Sequence, residues 1–131
     1  MAKTQRRKLP LSGDRLVDIL FLVLLDTLEK QITAIHVKEI LRDPDNHKKT
    51  IFGILTQNQN EDLIFIGKEK HRRHNEPIVQ TLIHELLHHT LPGITHRRIY
   101  QLEARIWPRL TDSQKRFLRK YVPKHTVKKE P

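Results

Sequence analysis

With 131 residues, 37% of them hydrophobic and 31% charged, the chain has room for one folded domain with one core and is not of the composition that stays disordered throughout. It contains no cysteine, which excludes a disulfide framework and a thiolate metal site; a transition metal here must be held by carboxylates and by the nine histidines. The net charge of +10 favours weak association with nucleic acid or acidic protein segments through the basic termini, although no nucleic-acid fold signature accompanies it.

Residues 1–11 read as a basic, disordered lead, residues 12–122 as a single domain, and residues 123–131 as a basic, solvated tail. Ser12-Gly13-Asp14 offers caps for a helix running to about Lys30. Its apolar positions cover most of its circumference, which predicts a well-buried helix. The stretch Leu16–Leu28 carries Asp18 and Asp26, and its uninterrupted apolar run is only Ile19–Leu25. That is short of the roughly 20 apolar residues of a membrane span, so no membrane partner is expected and the cytoplasm is the default.

From Ile32 to Ile40 β-branched residues in partial alternation predict a strand. Asp43-Pro44-Asp45-Asn46 predicts a turn, Thr50–Gln57 a second strand and Leu63–Gly67 a third, the last two paired as a hairpin. Asn75-Glu76-Pro77 opens the next helix, with Asn75 as its cap, and Pro92-Gly93 ends it. Thr95 caps a helix to about Trp107, and Thr111-Asp112-Ser113-Gln114 has the capping-box form that opens a last helix before Pro123. Trp107 and Phe117 read as core. The class is α+β: an N-terminal helix, a small three-stranded, mainly antiparallel sheet, then three helices.

The second helix carries His84-Glu85-Leu86-Leu87-His88. Two histidines four residues apart project from one helical face and can reach one zinc ion, at roughly 2.0–2.1 Å each. Glu85 lies beside the first ligand without coordinating, placed to act as general base toward a zinc-activated water. Ile78, Val79, Leu82, Ile83, Leu86 and Leu87 make the helix a buried one, and core helices seldom carry two His and a Glu unless something compensates their burial.

A catalytic zinc needs a third protein ligand, and two residues compete for the place. The short turn Pro92–Thr95 predicts an antiparallel helical hairpin, in which the rise per residue brings Glu103 to the level of His84. His96 lies closer to the turn and to His88. A bland reading also stands, in which Glu103 merely pairs with Arg97 or Arg98. Tyr100 shares a face with His96 and Glu103; it is either a donor to a developing oxyanion or a core residue with its hydroxyl bonded. His89, about 100° round the helix, is not expected to be a ligand. His71 and His74 read as a solvated basic loop that could line a cleft mouth.

On His84, Glu85, His88 and Glu103, residues 12–107 resemble the gluzincin branch of the zincin metallopeptidases, in their minimal form, and more distantly the ImmA/IrrE-type peptidases. The resemblance implies hydrolysis of peptide bonds in a polypeptide laid extended along the edge strand before the motif helix, which would be Leu63–Gly67. It also admits a latent form in which residues 119–131 occupy the cleft. The chain departs from the pattern at Trp107, where a carboxylate that orients the first histidine is usual, so a backbone carbonyl or Asp112 must serve that purpose. Two further readings follow from the residues: a zinc-stabilised binding or regulatory protein without turnover, and a basic nucleic-acid-associated protein whose motif is accidental.

Overall fold

The computed structural model describes residues 8–58 and 60–131; most of the basic lead, residues 1–7, lies outside the described residues. Helix α1 spans Arg15–Lys30, with Asp14 as N-cap accepting from the backbone N–H groups of Leu16 and Val17. Asp18 in its first turn reaches back to accept from the backbone and hydroxyl of Ser12. One face of α1, with Val17, Phe21, Leu24, Leu25 and Leu28, enters the core. The other does not: Leu16 is 75% exposed, and Ile19, Leu22 and Val23 are exposed with it, so the helix is amphipathic rather than buried all round.

Five strands follow: β1 (Ala34–Lys38), β2 (Arg42–Asp43), β3 (Asn46–Thr50), β4 (Gly53–Gln57) and β5 (Asp62–Gly67). The α+β class is as the sequence predicts, but the sheet is mixed. Its order is β1-β5-β4, with β5 parallel to β1 (Val37 opposite Ile66) and antiparallel to β4 (Leu55 opposite Ile64). The Asp43–Asn46 turn does form, within a separate two-stranded ribbon of β2 and β3. The predicted strand Thr50–Gln57 is therefore two elements: Thr50 ends β3, and Ile51-Phe52 bends the chain into β4.

Strand β5 is covered on both faces. Ile64 and Ile66 join α1 and the motif helix in the main core, while Leu63 and Phe65 point the other way, onto Leu41 with Ala34, Ile51 and Ile54 around them. Leu63–Gly67 is thus the central strand, and the edge beside the motif helix is β4.

Gly67 passes directly into a short helix α2 (Lys68–His74) where the sequence predicts a loop. Asn75 is not the cap of the motif helix. It terminates α2 in the left-handed conformation (φ 54°), which asparagine tolerates better than most residues, and Pro77 takes the cap position of the next helix. That helix, α3, spans Ile78–Thr90. Thr95 caps α4 (His96–Ile106), a 3-10 turn covers Trp107–Arg109, and Thr111 with Gln114 forms the predicted capping box of α5 (Asp112–Arg119). Helix α3 runs through the centre, packed on α1, α4, α5 and the sheet. Trp107 and Phe117 pack half-buried against the main core.

The tail is exposed, as expected, but it is also attached to the sheet. Val127 donates its backbone N–H to the Val37 carbonyl at 2.8 Å, Thr126 bridges Val37 in parallel, and Glu130 pairs with Lys38. It lies along the outer edge of β1, across the sheet from β4. Among the described residues no helix is long and apolar enough to cross a membrane.

Candidate metal centre

The i, i+4 spacing on α3 brings the ring nitrogens His84 Nε2 and His88 Nε2 to 3.1 Å from each other. The Pro92–Thr95 turn returns the chain so that the first residue of α4, His96, sets its Nδ1 3.0 Å from His88 Nε2. The three nitrogens lie within 4.8 Å of one another. Burial grades across the cluster, from His84 at 6% exposed through half-buried His88 to exposed His96, so one side of it opens to solvent.

Glu103 stands behind this cluster and not within it. Its Oε1 accepts from His84 Nδ1 at 2.7 Å, and its Oε2 accepts from the Gln80 amide at 2.6 Å. The carboxylate is 6% exposed, with one oxygen engaged by each partner. By accepting a hydrogen bond from Nδ1–H of His84, it favours the tautomer whose lone pair is on Nε2, the atom facing His88 and His96. Glu103 therefore fills the orienting place for which the sequence offers a backbone carbonyl or Asp112; Asp112 itself sits in the first turn of α5.

The protonation states suit ligands. Burial, then the neighbouring His84 and His96, pushes His88 down to about 4. Burial and His84 also lower His96, against an opposing pull from Glu103. Both rings are neutral near pH 7, with lone pairs free. A tetrahedral zinc with nitrogens at roughly 2.0–2.1 Å separates them by about 3.3 Å, so the two close pairs open by a few tenths of an ångström and the His84–His96 pair, within 4.8 Å, closes toward the same separation. Three imidazoles fit such an ion.

Glu85 is 7% exposed, and burial raises its carboxyl to about 7; Glu103 adds to the rise, while His84 and a backbone hydrogen bond from Leu55 oppose it. It faces β4 across a contact that sequence reading overlooks. A Cβ on Gly53 would lie 2.4 Å from Thr81 Cγ2, 3.1 Å from the Phe65 carbonyl and 3.5 Å from Glu85 Oε2. Only glycine lets the strand approach the helix this closely, which is how β4 comes to border the site. Gln80 is the other functional residue that sequence reading missed. Its signal is its place four residues before His84, on the same helical face.

A cleft of about 530 Å³ opens beside these groups, lined by Ile51, Phe52 and Gly53 on the strand side and by His84, Glu85, His96 and Tyr100 on the helix side. Tyr100 is not a core residue. It is 51% exposed, with its ring 4.7 Å from that of His84 and 4.8 Å from that of His96. Burial and the carboxylates Glu103, Glu85 and Glu76 raise its hydroxyl, which stays protonated and able to donate.

Two of the other histidines serve packing. His89, as expected, turns away and joins Asp62 at 2.7 Å, fastening α3 to the start of β5. His71 is buried, not solvated: it is 3% exposed, its Nδ1 lies 2.9 Å from the Glu76 carbonyl, and its ring meets that of Phe52. No family model, no curated protein and no solved structure matches the chain.

Proposed function

We propose that this protein is a metal-dependent, zinc-type peptidase in which His84, His88 and His96 hold the ion, Glu103 positions His84, and Glu85 is the general base. The observation that carries the reading is the convergence of three imidazole nitrogens beside a buried glutamate in an open cleft. Two satisfied surface histidines would not need Glu103 and Gln80 arranged behind them, because that arrangement costs the burial of a carboxylate. The ligand set is three histidines, so the likeness to the gluzincins lies in the His-Glu-x-x-His helix and not in a glutamate ligand.

When bound, a zinc ion supplies a Lewis acid that acidifies water and polarises a carbonyl. The raised carboxyl of Glu85 suits a general base, because a group titrating near 7 accepts a proton from water and returns it to the leaving amine at neutral pH. Tyr100 donates to the oxyanion that develops on the attacked carbonyl. The outer edge of β4 has no strand partner among the described residues and offers backbone donors and acceptors to an extended polypeptide.

The test joins metal content with turnover. Purified protein is expected to hold about one zinc per chain and to cleave a mixture of internally quenched peptides, with the activity lost to chelator. Glu85→Gln should retain the metal and lose hydrolysis by roughly two to four orders of magnitude. Metal retained without cleavage of any peptide would make the protein a zinc-stabilised binding module. Failure to take up metal would end the reading.

A further inference from the structure

The strand side of the cleft is basic at one end. Lys49 and Lys70 both line it, together with Phe52. Lys70 is half-buried, its ammonium 4.7 Å above the Phe52 ring and donating to the Thr50 carbonyl at 2.8 Å. An ammonium has three N–H donors, and that carbonyl takes one. No carboxylate among the described residues forms an ion pair with Lys49 or Lys70. Of the three acids on the cleft wall, Glu103 is committed to His84 and Gln80, Glu85 is buried where α3 packs on β4, and the exposed Glu76 pairs with neither lysine.

A half-buried cation left without a counter-charge, with a second cation nearby, is unfavourable in the free protein and becomes favourable when a ligand brings the anion. The field around Lys70 agrees: burial, Lys49 and Arg73 all act to lower its affinity for the proton. We propose that Lys70, supported by Lys49, is an anion-recognising subsite of this cleft, selecting ligands with a carboxylate a few residues from the group seated over the three histidines. The inference rests on the peptidase reading above and names its substrate class, peptides bearing an acidic side chain or ending in a free carboxylate at that distance. The spacing follows from the chain itself. Gly53 lies beside Glu85, and Thr50, which holds Lys70, lies three residues earlier, at most about 10 Å away for extended backbone.

The experiment uses zinc-loaded protein and three matched peptide hydroxamates, which grip the metal and need no turnover. One carries Glu three residues from the hydroxamate and ends in an amide; one carries Gln there and ends in an amide; one carries Gln and ends at that residue in a free carboxylate. Titration calorimetry at low salt is expected to show an anionic probe binding about tenfold more tightly than the neutral one, with the ratio shrinking as salt is added. Whichever anionic probe binds more tightly identifies the source of the carboxylate. In Lys70→Met, and in the double variant Lys49→Met/Lys70→Met, the ratio should collapse toward one, with zinc content reporting an intact centre. Equal affinities for all three probes in the wild type would overturn the subsite and leave the metal cleft standing. A preference that survives the double substitution would overturn its assignment to these lysines. Failure of every probe to bind zinc-loaded protein would overturn both readings.

Discussion

Glu103 reaches His84 from behind, 2.7 Å from Nδ1, and leaves Nε2 to face His88 and His96. The two residues thus act as one unit in which only the imidazole faces the histidine cluster. A carboxylate in this position fixes the ring's tautomer and orientation and raises its basicity.

The metal-site variants are therefore expected to differ in kind. His96→Ala removes a ligand, and stoichiometric zinc binding should be lost. Glu103→Gln keeps a hydrogen-bonding group of the same size behind His84 and should weaken zinc about 10- to 100-fold without abolishing it. Competition against a chelator of graded affinity measures both. Equal loss from the two variants would mean that Glu103 coordinates directly.

The helical hairpin explains how much of this site the sequence reveals. Rise per residue correctly sets Glu103 at the level of His84, but axial position does not say which ring nitrogen a side chain meets. The choice between Glu103 and His96 depends on rotation about α4, and the apolar residues of that helix, Ile99 and Ile106, constrain it only once their packing is known. The sheet shows the same division. Caps and turns such as Asp14, Thr95 and the Thr111–Gln114 box are local and legible. The central place of β5 is not local, although the unbroken apolar run Leu63-Ile64-Phe65-Ile66 already marks a strand covered on both faces. Exposure of Leu16, Ile19 and Val23 on α1 is not legible either, since an apolar sequence does not reveal which of its faces a small core can cover.

Gly53 makes a prediction about packing. Gly53→Ala places a methyl group 2.4 Å from Thr81 Cγ2, closer than atoms approach, so β4 or α3 must shift. Destabilisation of about 1–3 kcal/mol in urea unfolding is expected. Thr81→Ser removes that Cγ2, and the double variant Gly53→Ala/Thr81→Ser should recover part of the loss. Strict additivity of the two changes would show that this contact is not the source of the strain.

His71 ties the fold to pH from outside the metal site. Burial lowers its pKa from 6.5, against the opposing bond to Glu76. Below about pH 6.5 the unfolded chain takes up a proton that the folded chain refuses, so stability falls as pH drops through that value and is unaffected above it. Urea unfolding of metal-free protein between pH 7.5 and 5.5 reads His71 as the difference between wild type and His71→Gln, since the raised carboxyl of Glu85 contributes with the opposite sign in both. Relative to the variant, wild type should lose stability toward pH 5.5. An unchanged slope in the variant would mean that His71 is as easily protonated folded as unfolded.

The tail yields the last prediction, because it separates a stabilising strap from an inhibitory one. Thr126 and Val127 extend the sheet at β1, and Glu130 pairs with the Lys38 side chain, whereas the cleft lies beyond β4 on the opposite side of β5. Deleting residues 124–131 removes the backbone bond to Val37 and an exposed ion pair, worth about 1–2 kcal/mol together. Unfolding measurements should show that loss, and amide exchange should quicken along β1. Zinc affinity and peptide hydrolysis should match the full chain within about twofold, since nothing the tail touches borders the metal centre. A marked rise in hydrolysis on truncation would instead mean that the tail leaves β1 and covers the cleft in solution, making the β1-bound position one of two states of a latent enzyme.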